Sequence, residues 1–420
     1  MTTKMPAKRA RKTQGKAPAK FKRKNNNINP KTVEKTDGRF SLRQKIFIFR
    51  NSNIAKPPRN SNFVLLVAIV SVLCIIGAVM VLSASSVTAI GDYGSAWFFF
   101  QRQLVWLALG AVAFIVMSRI PYTFWRKMTK PIVFSSLFLL LIVLIPGVGI
   151  EAFGSRRWLG FGSWRFQPSE YAKIALVIFA AEFLTRKEKV MGSFKEIMYP
   201  LILTSCLFLA LVVVEPDYDS TVVLVMIVGS IMLMAGIPMK FMGKIAAPVA
   251  ILAAGVVFLE PYRRARIFSF LDPFKDKSNT GYQIVQSLIA LGSGGKSGVG
   301  LGNGKAKWLF LPNAHTDFIF SIIGEEMGLV GTLLVVGLFA AFIFLGIRIV
   351  LSCHDRFAAL MATGIIAWIG GQAIINLMAV IGLLPVSGIT LPFVSFGGSS
   401  LLISLGAAGI LANIARYSRS

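Results

Sequence analysis

The stretch Leu311-Pro-Asn-Ala-His-Thr-Asp-Phe-Ile-Phe-Ser-Ile-Ile-Gly-Glu-Glu326 sets ionisable side chains at the mouth of a long apolar run. Taking a carboxylate out of water is costly, so one placed there needs a reason. Asp317, Ser321 and Glu325 recur at a spacing of four, which on a helix puts them on one face, with Glu325 about 12 Å deeper at ~1.5 Å per residue. Two roles are open. Ionisable groups at membrane depth are candidates for function, or Asp317 can cap the helix while Glu325 pairs with a buried cation.

Three further polar islands interrupt apolar sequence. Gly154-Ser-Arg-Arg-Trp158 leads into Gln167-Pro-Ser-Glu170-Tyr-Ala-Lys173, where Glu170 and Lys173 stand one helical turn apart, able to neutralise each other or to serve a substrate. Glu215-Pro-Asp217-Tyr-Asp219-Ser-Thr221 concentrates three carboxylates. Leu384-Pro-Val-Ser-Gly-Ile-Thr-Leu-Pro-Phe-Val-Ser-Phe-Gly-Gly-Ser-Ser400 reads as irregular backbone, which survives at membrane depth only when packed in protein or lining a cavity. Ala290-Leu-Gly-Ser-Gly-Gly-Lys-Ser297 falls one glycine short of a phosphate-binding P-loop and follows no strand, so it is read as a flexible connection, with Lys296 and backbone amides as a weaker phosphate contact. With two histidines, His315 and His354, and no HExxH, zinc hydrolase chemistry is excluded, and a divalent ion would have to use carboxylates. Cys74, Cys206 and Cys353 have neither metal-like nor disulfide-like spacing.

The elements that must position these groups are membrane helices. Of the 420 residues, 55% are hydrophobic and only 15% charged, an apolar excess suited to a lipid-facing surface. Segments long enough to span lie at 62–83, 97–117, 131–149, 167–184, 198–214, 219–236, 244–260, 317–349, 357–382 and 394–415, which predicts an all-α polytopic integral membrane protein of about ten helices. A large outer loop, 261–316, separates helices seven and eight, and its Thr280–Leu291 stretch is amphipathic. More than half of the net charge of +27 sits in residues 1–60, a basic tail too poor in apolar residues to fold, expected to be disordered and cytoplasmic. The membrane domain, 61–416, then returns the C-terminus to the same side. Arg119, Arg126, Lys127 and Lys130, then Arg186, Lys187, Lys189 and Lys195, then Lys240 and Lys244 fall in the inner loops, as the positive-inside rule asks. Arg156, Arg157 and Arg165 break that rule on the outer side, which suits an anionic ligand. No aromatic interleaving or folded module accompanies the tail's charge, so nucleic-acid binding is excluded.

Taken in order, these islands resemble the SEDS family of polytopic glycosyltransferases, whose division branch is FtsW and whose elongation branch is RodA, over roughly residues 62–415. His-Thr-Asp-Phe-Ile-Phe, the closing Phe-Gly-Gly-Ser-Ser and the long basic tail are more similar to the division branch. The family usually carries Gly two residues after the Asp of its Pro-Asp motif; here that position is Asp219. The resemblance implies a peptidoglycan glycosyltransferase that polymerises lipid II during cell division and releases undecaprenyl pyrophosphate. It implies Asp317 as general base, and Arg156, Arg157 and Lys173, with Lys296 weaker, as pyrophosphate contacts. Glu170 would orient Lys173, and Asp217 would hold either a divalent ion or the local fold. Ser220, His315, Thr316, Glu325, Ser395 and Ser399, in the matching motifs, join the expected substrate-binding set.

No organic cofactor is implied; a Mg or Mn ion is, with Asp317 and Asp217 as candidate ligands. The implied partners are lipid II and undecaprenyl-linked glycan, a class B penicillin-binding transpeptidase and other divisome proteins. The implied place is the bacterial inner membrane at the septum. Two alternatives use the same residues without bond chemistry: a lipid II flippase, and a divisome scaffold.

Overall fold

The computed structural model describes residues 1–2, 61–152, 155–161, 164–188, 196, 199–244, 247, 255, 270, 272–274, 281–308, 310–386 and 388–418. The chain divides after Ala55, and the described helices and strands all belong to the unit Lys56–Ser420. The expected basic tail, most of the expected span 244–260 and residues 261–269, 271, 275–280 and 309 of the expected outer loop 261–316 lie outside the described residues.

The helices are α1 (Ser61–Tyr93), α2 (Phe98–Arg119), α3 (Tyr122–Lys127), α4 (Thr129–Val143), α5 (Pro168–Arg186), α6 (Tyr199–Val214), α7 (Tyr218–Met234), α8 (Tyr282–Ser293), α9 (Ile319–Ser352), α10 (Arg356–Val380) and α11 (Gly398–Tyr417). Five of them, α1, α2, α9, α10 and α11, are long and apolar enough to cross a membrane by length and composition. The shorter α4, α6 and α7 are also apolar, and α5 carries Glu170, Lys173, Glu182 and Arg186 within its 19 residues. The count of ten therefore stays a sequence expectation. One departure from an all-helical chain is a small antiparallel sheet between α4 and α5, with β1 (Ile150–Ala152), β2 (Ser155–Phe161) and β3 (Trp164–Phe166) in that order. A connection this short has no apolar stripe to pack as a helix, and strand pairing satisfies its backbone locally.

The core lies where α5, α7 and α10 pack together, with α11 laid along α2 and against α1. Leu176, Val177, Ile227, Ile231, Ile365, Trp368 and Ile369 are fully buried there. Gly77 on α1 allows a close approach: a Cβ at that position would stand 2.7 Å from the carbonyl oxygen of Phe393, so the irregular stretch before α11 rests directly on α1. At the opposite end of α11, Asn413 accepts the N–H of Tyr122 at 3.0 Å and donates to the Ser118 carbonyl at 2.9 Å, fastening the α2–α3 turn.

The long helix α9 is broken at Gly328, whose φ of 64° and ψ of −158° interrupt the hydrogen-bond ladder. The Gly-rich run fills the gap. Val299 and Gly300 donate to the carbonyls of Glu325 and Glu326 at 3.0 and 3.1 Å, while Leu329 and Val330 donate to the carbonyls of Gly295 and Lys296 at 3.0 and 3.4 Å. The glycines let two backbones lie side by side, and a methyl group at 328 would collide with Gly298 and Lys296. Gly328→Ala should therefore cost roughly 1–3 kcal/mol from backbone strain, and more from the collision. Thermal unfolding in detergent should show a clear drop for Gly328→Ala and little change for Gly337→Ala, a helical control with open space around it.

Candidate functional site

Asp317 does not stand on the α9 helix. It occupies the turn before it, Phe318 is the N-cap residue, and no side chain caps the helix. What fixes Asp317 is a set of bonds to its own main chain and that of its neighbours. The carbonyl of His315 accepts the N–H of Phe396 at 3.0 Å, that of Thr316 the hydroxyl of Ser395 at 2.6 Å, and that of Asp317 the amide of Asn376 at 2.8 Å. Three consecutive carbonyls are thus taken by donors from α10 and from the irregular stretch before α11. Ser395 is held in turn by the N–H of Leu391, which donates to its hydroxyl at 2.9 Å.

Asp219, at the start of α7, comes to the same place. Its Oδ2 accepts the N–H of Gly388 at 3.1 Å. A Cβ at Gly388 would lie 3.0 Å from Asp219 Oδ2 and 3.9 Å from Asp317 Oδ2, so the two carboxylates flank one peptide. A side chain at 388 would crowd Asp219 and meet Asp317 at ordinary contact distance. Asp219 is thus a second carboxylate at the Asp317 site.

Asp217, one turn-position earlier, is a hub. Its Oδ2 accepts Gln167 Nε2 at 2.7 Å and the Ser169 hydroxyl at 2.6 Å, its Oδ1 caps α7 through the N–H of Ser220 at 3.1 Å, and Arg157 Nη1 lies 3.9 Å away. The Ser220 hydroxyl lies 3.3 Å from that of Ser169, and the Ser399 hydroxyl accepts the N–H of Gln167 at 3.3 Å, joining α11 to α5. Next to the hub, Glu215 is buried with no hydrogen-bond partner for either carboxyl oxygen among the described residues. Burial first, then the neighbouring Asp217, pushes its acid up to about 9 against the pull of Arg157, so Glu215 is neutral at pH 7.

Deeper in the bundle, Lys173 Nζ lies 2.8 Å from Glu170 Oε1 and 3.4 Å from Gln372 Oε1, all three buried. His315 lies tilted against Phe99 at 4.7 Å and Phe396 at 5.8 Å between centroids, and burial pushes its imidazole down to about 4. A neutral ring between two aromatic neighbours gives the site an apolar wall. The Thr316 hydroxyl turns back to the Asn313 carbonyl at 3.2 Å.

Three expected site residues stand apart. Arg156 and Arg157 are successive in β2 and point to opposite faces, and Arg156 pairs with Glu151 at 3.2 Å on the exposed side. Lys296 is exposed and contributes its carbonyl to the Gly328 splice. Glu325 does not share a face with Asp317 on one helix, nor does it pair with a cation among the described residues; it accepts the N–H groups of Lys305 and Ala306 at 2.7 and 3.1 Å. The buried cation pair belongs to its neighbour. Glu326 takes Lys307 Nζ at 2.8 Å, the Ser83 hydroxyl at 2.7 Å and the Gly302 N–H at 3.0 Å. The N–H groups of Gly302, Lys305 and Ala306 and the Lys307 ammonium are therefore taken by the protein's own carboxylates. Ser321 bonds Ser287 of α8 at 2.7 Å.

Among the described residues no three His, Cys, Asp or Glu side chains are grouped to hold a metal ion. Asp217 has both oxygens engaged, which makes it a poor ligand. Asp317 and Asp219 supply two carboxylates across Gly388, the number a hydrated Mg ion uses when substrate phosphate completes its shell.

A family model described as a cell cycle protein and joining FtsW, RodA and SpoVE matches residues 63–420. The stage V sporulation protein E of Bacillus subtilis is 40% identical over 364 residues, spanning 86% of this chain and 99% of the relative. A probable peptidoglycan glycosyltransferase FtsW of Geobacter metallireducens is 40% identical over 354 residues, spanning 84% and 94%. Among solved structures, a chain of a peptidoglycan synthase complex that coordinates polymerization and crosslinking aligns with a TM-score of 0.70 at 27% identity, covering 84% of this chain and 97% of that one. The rod shape determining protein RodA of Thermus thermophilus aligns at 0.62 and 25%, with the same coverage.

The hub sets a stability expectation. Asp217→Ala leaves Gln167, Ser169, the Ser220 N–H and Arg157 without their acceptor and should cost about 3 kcal/mol or more, whereas Asp217→Asn, which keeps one acceptor oxygen, should cost less. Thermal unfolding of the purified protein should rank parent, Asn and Ala variants in that order.

Proposed function

The chain belongs to the FtsW, RodA and SpoVE family of cell cycle proteins, and from that premise we propose that it is a peptidoglycan glycosyltransferase of the division branch that polymerises lipid II. The observation that carries this reading is the Asp317 carboxylate, half-buried at the end of the bundle that also holds Arg157, Asp217 and Asp219. The acceptor sugar's hydroxyl attacks the anomeric carbon of the lipid-linked chain while Asp317 takes its proton. The bond to undecaprenyl pyrophosphate breaks in the same displacement, and the carbon inverts. Arg157, a quarter exposed and beyond hydrogen-bond distance from Asp217, can swing a guanidinium fork to the leaving diphosphate. A neutral Glu215 beside it adds no repulsion.

A Mg or Mn ion, held by Asp317 and Asp219 with the substrate's phosphates, would neutralise charge on the leaving group. Lys173 and Glu170 brace the site from below, since their charges are paired and buried. Ser395, Ser399 and Ser220 likewise spend their contacts on the protein, shaping the surface on which substrate lies. The chain is a multi-pass bacterial membrane protein; both termini on the cytoplasmic side and a place at the septum complete the proposal. Its partner is a class B penicillin-binding transpeptidase within the divisome, a pairing supported by the peptidoglycan synthase complex whose chain shares this fold.

Labelled lipid II, purified protein, its transpeptidase and a divalent cation should give a glycan ladder on a gel. Asp317→Asn should lower the rate by at least about 100-fold with lipid II binding retained. A fully active Asn variant would remove Asp317 from the base role, and lipid II crossing vesicles without a ladder would replace synthesis by transport.

A further inference from the structure

One face of α10 carries two amides that the sequence islands did not include. Gln372 and Asn376 stand one turn apart, 2% and 1% exposed, on a helix otherwise lined with Ala, Ile and Gly. Asn376 Nδ2 has two hydrogens, and both are used: one reaches the Asp317 carbonyl at 2.8 Å, the other the Ile389 carbonyl at 2.7 Å. Those acceptors lie on the two separate segments that make up the Asp317 site. Gln372 repeats the arrangement one residue further along, donating from Nε2 to the Thr390 carbonyl at 3.1 Å. Its Oε1 accepts Trp368 Nε1 at 3.0 Å and faces Lys173 Nζ at 3.4 Å.

One nitrogen serving two carbonyls fixes how far apart their peptides lie. The peptide beside Ile389 is that of Gly388, the one flanked by the Asp219 and Asp317 carboxylates. We propose that Asn376 is a positioning residue for glycosyl transfer, holding the Asp317 main chain and the 388–390 segment in one register so that the Asp317 carboxylate faces the acceptor hydroxyl. Gln372 steadies the same segment, and the buried Glu170–Lys173 pair acts on the site through Gln372 and not on the substrate. The proposal rests on Asp317 being the base. Asn376 itself stays behind the main chain, so its loss should weaken the chemical step and spare substrate binding, because misplacing a reacting group by about 1 Å is enough to cost orders of magnitude.

The test is the kcat and KM of ladder formation for the full chain with its transpeptidase. Asn376→Ala should lower kcat at least about tenfold with KM for lipid II within about twofold. Asn376→Asp has the same shape but lacks the two hydrogens that face two carbonyls, so it should fall at least as far. Parental kcat in the Asp variant would mean that only packing matters, and a raised KM with unchanged kcat would mean substrate contact; either overturns the proposal. Where Asn376→Asp does not fold, Asn376→Ser carries the test: one hydroxyl can hold one carbonyl, so an intermediate kcat supports positioning and a parental one overturns it. A fully active Asp317→Asn would sink the base assignment and this proposal together, whereas a dead Asp317→Asn beside fully active Asn376 variants sinks the proposal alone.

Discussion

A main chain that leaves helical geometry inside an apolar bundle must find a partner for every N–H and C=O it exposes, because an unpaired one costs several kcal/mol where no water reaches. Residues 313–318 and 388–397 meet that constraint against each other. His315, Thr316 and Asp317 turn their carbonyls to Phe396, Ser395 and Asn376, and Ile389 and Thr390 turn theirs to Asn376 and Gln372. Much of the surrounding bundle follows from this. Gly77 clears α1 from Phe393 and Val394, Gln103 of α2 reaches the Ser395 carbonyl at 3.4 Å, and Phe99 closes over His315.

The same constraint explains the Gly-rich loop. The break in α9 at Gly328 frees the carbonyls of Glu325 and Glu326 and the N–H groups of Leu329 and Val330, and residues 295–300 supply all four partners. The side chains of Glu325 and Glu326 then gather the next turn of the loop by its amides and by Lys307. The loop that leads into Asp317 is therefore tied down at both ends of that run, and Lys307 and the N–H groups of Gly302, Lys305 and Ala306 answer to internal carboxylates. A buried Lys307–Glu326 pair is poor evidence of added stability, but breaking it would leave one charge unpaired, which makes it a strong specifier of this loop path.

Much of this was legible in the sequence. The apolar runs located the helices, the amphipathic stretch near 280–291 became α8, and the i, i+3 spacing of Glu170 and Lys173 gave the pair observed at 2.8 Å. Asp217 and Asp317 stood out because carboxylates beside apolar runs are costly. What spacing could not convey was a backbone that stops being helical. Reading Asp317 and Glu325 onto one face assumed a helix from 317 that begins at Ile319, and the break at Gly328 further separates Glu325 from the rest of α9. The short sheet at 150–166 was hidden for a related reason, since strands of three to seven residues leave little periodicity. Gln372 and Asn376 were visible as two amides four apart on an apolar helix, a pattern that intramembrane polar residues make informative, yet no motif drew attention to them.

The polar residues at the Asp317 end of the bundle thus divide by what they touch. Most hold other parts of the protein, and few are left to meet substrate, which is the central claim of the account: the stretch before α11 exists to hold Asp317. The most direct measurement is the steady-state kinetics of Ser395→Ala on labelled lipid II, because its hydroxyl joins the Leu391 N–H to the Thr316 carbonyl. The account predicts that kcat falls while KM is unchanged. A raised KM at parental kcat would show that Ser395 meets the substrate and would contradict it.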